Sequence, residues 1–156
     1  MKELVNLLIE KNKTISTMES CTGGMLSSEI TNIENASKVF SFGAVTYSNE
    51  EKIKMGVPKE VIDKYTVYSE KVASSMAKTI TVYTNSNYGI GITGKLKKVD
   101  ENNLTGPDDL VYFTIYDKDN DIYYNDNLIV NKEKRKDNKQ LVINKIVEKM
   151  LEILKK

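Results

Sequence analysis

Apolar positions along this chain recur at two spacings, and the switches between them mark out an order of helices and strands. Leu4, Leu7 and Leu8 fall at helical spacing, so residues 2–11 are expected to form an amphipathic helix. Thr14-Ile15-Ser16-Thr17-Met18 alternates and is rich in β-branched side chains, which predicts a short strand. A small-residue turn, Glu19-Ser20-Cys21-Thr22-Gly23-Gly24, leads into a helical segment from Met25 to Ile30. Val39 to Tyr47 is apolar and aromatic and reads as a buried strand. Asn49 follows as an expected N-cap, with Glu50 and Glu51 in the first turn, where the helix dipole favours acids. Residues 59–64 and 69–84 read as two further helices, the second with Val72, Ala73, Met76, Ala77 and Ile80 on one face. Tyr88 to Thr93 is a short apolar stretch ending at Gly94 and is expected to be a strand. Leu110 to Tyr116 and Ile122 to Val130 form a predicted hairpin around Lys118-Asp119-Asn120. Ile143, Ile146, Val147, Met150 and Leu154 then follow the 3.6-residue period of a terminal helix. Strands alternating with helices predict an α/β sandwich, and the hairpin makes its sheet mixed. No repeat or linker divides the sequence, so a single domain over residues 1–156 is expected.

Composition narrows the chemistry more than the fold. Hydrophobic residues make up 40% and charged residues 29%, a balance that argues against disorder and against a membrane protein. No apolar run approaches the roughly 18 residues of a spanning helix, and the N-terminus carries no signal-peptide core. One cysteine, Cys21, rules out an internal disulfide and suits a reducing compartment, so a cytoplasmic location is expected. With 23 basic and 22 acidic side chains the net charge is +1, so no general affinity for nucleic acid or anionic membrane is expected. Histidine is absent. That excludes Ser-His-Asp and Cys-His catalysis and imidazole metal sites, leaving Ser, Thr, Tyr, Lys, Arg and carboxylates as the working groups. Neither a metal nor a cofactor is expected.

Three segments can carry such chemistry. In Glu19 to Gly24, Ser20 reads either as a helix cap or as a nucleophile whose alkoxide is favoured by the dipole and free N–H groups. The glycine pair serves either close packing of helix on sheet or an anion-binding turn. In the second segment, Gly43-Ala44-Val45-Thr46-Tyr47-Ser48-Asn49-Glu50-Glu51-Lys52, a tyrosine ends a strand and a lysine lies in the following turn. Both are ordinary surface residues by themselves. Together with a serine they are the parts of a Ser-Lys or Ser-Tyr-Lys hydrolase, where a desolvated lysine takes the serine proton. Thr93-Gly94, the third segment, ends a strand, and in open α/β sheets the ligand crevice lies beyond the carboxyl ends of strands. Two other runs are set aside. Asp117 to Asp121 imitates a calcium loop, but Ile122 stands where glycine is needed and Leu128 where glutamate is needed. The run Lys95-Leu96-Lys97-Lys98 could touch phosphates, but three lysines in a loop read first as a solvated basic segment.

Taken in order, Glu19-Ser20-Cys21-Thr22-Gly23-Gly24 and Gly43 to Asn49 with Lys52 closely resemble the CinA C-terminal domain family, the nicotinamide-nucleotide amidases. Gly56-Val57, Ser69-Glu70 before a helix holding Met76-Ala77, Ile92-Thr93-Gly94, Leu110-Val111-Tyr112, and Arg135 with Lys139 extend the likeness along nearly the whole chain. The resemblance implies a three-layer α/β/α sandwich on a mixed, mostly parallel sheet of about five or six strands. It implies hydrolysis of the carboxamide of nicotinamide mononucleotide to nicotinate mononucleotide and ammonia, without metal or cofactor. Ser20 would be the nucleophile, with Lys52 and Tyr47 moving its proton. The N–H groups of Cys21, Thr22, Gly23 and Gly24 would hold the oxyanion or a phosphate, and Thr93, Gly94 and Arg135 would lie at the substrate. A homodimer is also implied.

One departure stands out. After the threonine-glycine pair the family carries a Gly-Pro-x-Gly-Gly loop and then a lysine-proline-valine-glycine step, whereas residues 95–109 here lack those glycines, with Pro107 matching the later proline and Asp109 standing where its glycine would be. Such glycines allow positive φ and close approach of backbone to a phosphate. Three outcomes follow: Lys97 and Lys98 replace them by charge, the substrate differs, or the chain is a non-catalytic member that binds a nucleotide or a protein. Thr66 and Tyr68 also stand where smaller residues are expected, which would narrow the pocket.

Overall fold

Why helices and strands alternate here, and where they place the loops, follows from two faces of one sheet. The computed structural model describes residues 1–98 and 101–156. In chain order the elements are α1 (Lys2–Glu10), β1 (Ile15–Glu19), α2 (Met25–Thr31), a 3-10 turn (Ala36–Lys38), β2 (Phe40–Val45), α3 (Asn49–Lys54), α4 (Lys59–Tyr65), α5 (Glu70–Thr84), β3 (Tyr88–Gly94), β4 (Leu110–Asp117), β5 (Ile122–Ile129) and α6 (Arg135–Leu154). The five strands form one sheet in the order β2-β1-β3-β4-β5. β1 pairs in parallel with β2 and β3, and the β3–β4 and β4–β5 pairings are antiparallel. The α/β fold with a mixed sheet is therefore as expected.

Alternation along β3 sorts the two layers. Ile90 and Ile92 face the larger core, shared with Leu4 and Leu8 of α1, Leu26 and Ile30 of α2, and Ile143, Ile146 and Met150 of α6. Gly89 and Gly91 point to the opposite face, where α5 lies so close that a Cβ on Gly91 would sit 2.2 Å from the Ala73 carbonyl oxygen. Val72, Met76 and Ile80 of α5 close the second core with Met18, Val57 and Ile62. A side chain at either glycine would push the helix off the sheet.

β2 departs from the expectation of a buried strand. It is an edge strand, with Ala44 buried and Ser41, Phe42 and Val45 exposed. Phe42 instead packs on Tyr83 of α5 at a ring separation of 5.1 Å. No helix among the described residues is long and apolar enough to cross a membrane.

The connections leave one end of the sheet open for a site. β1 leads through α2 to β2 on one side, and the chain then returns across the other face through α3, α4 and α5 to β3 on the far side of β1. Beside β1 the winding reverses, so the carboxyl ends of three parallel strands splay around a crevice, the place where open α/β sheets hold ligands.

Candidate active site

The turn after β1 is organised by Glu19 rather than by Ser20. Glu19 is fully buried and its carboxylate reaches forward under the start of α2. One oxygen accepts from Thr22 Oγ1 (2.7 Å) and from the Gly24 and Leu26 N–H groups (3.1 and 3.2 Å). The other accepts from the N–H and hydroxyl of Ser27 (2.9 and 2.8 Å). The acid thereby satisfies N–H groups that the first turn of a helix leaves without intrahelical partners, and places a carboxylate at the positive end of the dipole. Gly23 and Gly24, with φ of 62° and 88°, supply the left-handed backbone that bends the chain over this side chain.

This arrangement corrects the expected role of the turn's N–H groups. Gly24 N–H is committed to Glu19, and Gly23 N–H donates to the Ser20 carbonyl at 3.0 Å, so neither is available to an anion. Among the described residues, the N–H groups of Cys21 and Thr22 have no backbone acceptor, and that of Cys21 faces only its own thiol. They directly follow Ser20, where an oxyanion formed by its attack would develop.

Ser20 meets Lys52. The serine is buried, and so is the lysine, at 1% exposure on α3. Lys52 Nζ lies 3.1 Å from Ser20 Oγ, 2.8 Å from the Thr46 carbonyl and 3.5 Å from the Ser48 carbonyl. α3 is aimed by its cap, which is Ser48 and not the expected Asn49. Ser48 Oγ accepts the Glu51 N–H at 3.1 Å, whereas Asn49 uses its side chain to donate to Asn103 Oδ1 across the crevice. Lys52 thus donates to Ser20 Oγ and to the Thr46 carbonyl, which puts amine and hydroxyl in the direct contact that a serine–lysine pair needs for proton transfer.

Other expected residues sit further out. Tyr47 is 63% exposed, and its hydroxyl accepts from Arg135 Nη2 at 3.0 Å, with no hydrogen bond to Ser20 or Lys52. Thr93 does not face the crevice. It shares the parity of Gly89 and Gly91, so its hydroxyl points under the α4–α5 connection and donates to the Val67 carbonyl at 2.9 Å. Ser69 Oγ holds the neighbouring Thr66 carbonyl at 2.9 Å, and Thr66 has φ 66°, an uncommon conformation for a β-branched residue. These two bonds fix the segment that carries Tyr68 into the site. Cys21 lines the crevice, but burial pushes its thiol up to about 12, so it is no nucleophile near neutrality.

The crevice encloses about 670 Å³, within the roughly 300–1,000 Å³ usual for ligand pockets. Ser20, Cys21, Tyr47, Tyr68, Gly94 and Arg135 are among its walls, and the described residues of the rebuilt loop add Lys95, Lys98, Glu101, Asn102 and Asn103. Lys97 faces elsewhere and donates to the Asn131 carbonyl at 3.4 Å. Thr22, Gly23 and Gly24 line an adjoining depression of about 390 Å³ with Arg135, Lys136 and Lys139. Sequence reasoning gave Glu19 no role of its own, and its reading of Lys95 to Lys98 as a solvated loop is corrected at Lys95 and Leu96, both of which are buried. Lys95 is buried, with its ammonium 3.0 Å from Asp108 Oδ1 and 5.3 Å from the Tyr68 ring centre.

Fold and site together define an α/β/α domain with a buried serine–lysine pair at the reversal point of its sheet. The sequence profile of the CinA C-terminal domain matches residues 1–156. The chain belongs to that family. It is 42% identical over 120 residues to a competence-damage inducible protein of Clostridium kluyveri, a stretch covering 76% of this chain and 29% of the relative. A competence-damage inducible protein of Clostridium botulinum is 47% identical over 92 residues, or 58% of this chain and 22% of the relative. The chain thus matches less than a third of the length of these relatives. Among solved structures, a CinA superfamily protein from Escherichia coli superposes with a TM-score of 0.89 at 26% identity, over 97% of this chain and 87% of that one. A competence/damage inducible protein from Agrobacterium tumefaciens does so with 0.84 at 25% identity, over 99% and 95%.

Proposed function

We propose that this chain is an amidohydrolase that converts nicotinamide mononucleotide, or a close relative, to nicotinate mononucleotide and ammonia. The observation that supports it most is the buried Lys52 amine 3.1 Å from Ser20 Oγ, in a protein with no histidine to serve as base. Ser20 Oγ attacks the carboxamide carbon while Lys52 takes the hydroxyl proton. The carbonyl oxygen becomes an oxyanion beside the Cys21 and Thr22 N–H groups. Lys52 then passes the proton to the departing nitrogen, and ammonia leaves an acyl ester on Ser20. Water, deprotonated by the same amine, attacks the ester and releases the carboxylate, and the proton returns to Ser20. Tyr47 and Arg135, joined at the rim, close on the substrate rather than on the proton.

Acid quenching during turnover, followed by peptide mass analysis, tests this. An acyl adduct on the peptide carrying Ser20 is expected. Turnover that leaves Ser20 unmodified, and that persists in Ser20→Ala, would overturn the reading.

A further inference from the structure

The loop that lacks the glycines puts something else in the crevice. Lys95 directly follows β3, and its side chain is 2% exposed, yet its carboxylate partner Asp108 is 46% exposed. The cation is therefore inside and the anion is at the water. Its ammonium also lies 5.3 Å from the centre of the Tyr68 ring, itself a wall of the crevice, and 3.5 Å from the Gly106 carbonyl, so the cation has partners besides Asp108. The Lys95 N–H donates to the Leu110 carbonyl and the Lys98 N–H to the Asp108 carbonyl, so the backbone limbs of the loop are joined without the ion pair. Among the described residues, Lys95, Lys98 and Arg135 place three cations on the crevice wall, a setting that can hold an anionic ligand.

From this we infer that Lys95 is the anchor for the substrate's phosphomonoester, and that Asp108 is a stand-in anion which swings to solvent when the phosphate arrives. This rests on the amidase reading for the reaction, but not for the binding. Lysine is suited to the task because an ammonium binds a phosphate as a point charge and needs no glycine cradle. A purely structural pair would behave differently. If Lys95 merely stapled the loop, removing either partner would weaken the same contact and both changes would act in the same direction. As an anchor with a competitor, the two changes act in opposite directions.

The test compares wild type, Lys95→Met and Asp108→Asn, each with two readouts. Methionine keeps an unbranched apolar stem in the buried place of Lys95 and asparagine keeps the shape of Asp108, so both variants are expected to fold, which the unliganded melting curve checks. In the first readout, inorganic phosphate is titrated while the thermal midpoint is followed. Phosphate should raise the midpoint of wild type, raise that of Asp108→Asn at lower concentrations, and leave Lys95→Met unmoved. In the second, kcat/KM is measured for nicotinamide mononucleotide and for nicotinamide riboside, which lacks the phosphate. Lys95→Met should lose roughly 10- to 100-fold on the nucleotide and little on the riboside. Phosphate stabilising Lys95→Met as much as wild type would overturn the anchor, as would equal losses on both substrates. If no variant releases ammonia but the phosphate pattern holds, the anchor stands and the amidase reading falls. Turnover of the nucleotide unchanged in Lys95→Met sinks the anchor alone.

Discussion

Replacing Glu19 by glutamine changes one oxygen to an amide nitrogen and removes a charge, with almost no change in shape. The new NH₂ must face one of two donor sets. Facing Gly24, Leu26 and Thr22, it would strip the acceptor from two backbone N–H groups; facing Ser27 it strips one, and the Ser27 hydroxyl can turn to Thr17 Oγ1, 2.8 Å from it. The second orientation is cheaper. It still leaves one buried N–H unsatisfied, at about 1–3 kcal/mol. The loss of a carboxylate from the helix N-terminus adds up to about 2 kcal/mol in a buried geometry. Relief from burying a charge offsets part of this, giving a net loss of about 1–4 kcal/mol. For a chain of this length that lowers the melting temperature by roughly 3–15 °C. Urea denaturation of the variant and wild type measures the loss directly. Because Glu19 also sets the bend that presents Ser20 to Lys52, activity should fall in the folded variant too. A stability loss below about 1 kcal/mol with unchanged turnover would refute the assignment of Glu19 as the organiser of this turn.

Gly91→Ala should destabilise by about 1–3 kcal/mol or more in urea, because its Cβ would lie 2.2 Å from the Ala73 carbonyl oxygen and α5 would have to move. Thr46→Val should be neutral or stabilise by up to about 1 kcal/mol in the same assay, since the Thr46 hydroxyl is the buried side-chain oxygen without a partner among the described residues. The Cys21 thiol, pushed up to about 12 by burial, should react with a thiol reagent in the native protein far more slowly than in urea. Its folded form keeps a proton that the unfolded chain gives up above the ordinary thiol range. Stability from this group is therefore intact below that range and falls as pH rises toward 12, a loss that Cys21→Ser should reduce in alkaline denaturation.

What the chain disclosed about itself depended on how local each signal is. The α6 stripe of Ile143, Ile146 and Met150 is a repeat within one element, and those residues are buried as the spacing predicted. Ser20 and Lys52 stand in recognisable segments, but 32 residues separate them, and only the parallel β1–β2 pairing brings their strand ends side by side. β2 looked buried because apolar content does not distinguish a central strand from an edge. Thr93 stands at the end of its strand as expected, but which face it takes is set by alternation, and it shares the face of Gly89 and Gly91 rather than that of the crevice. Glu19 left a faint trace, a carboxylate ending an otherwise buried strand, but its partners lie three to eight residues ahead, outside the usual capping spacing. Lys95 and Asp108 sit in a loop without periodicity, so nothing in their spacing announced a pair.

Ammonia release from nicotinamide mononucleotide by wild type, Ser20→Ala and Lys52→Met tests the central claim most directly. The account predicts steady release by wild type and a loss of at least about a thousandfold in both variants, since a nucleophile and its base act as a unit. Full activity in either folded variant would contradict it, and a folded wild type that binds the nucleotide without releasing ammonia would mark the site as a receptor rather than a catalyst.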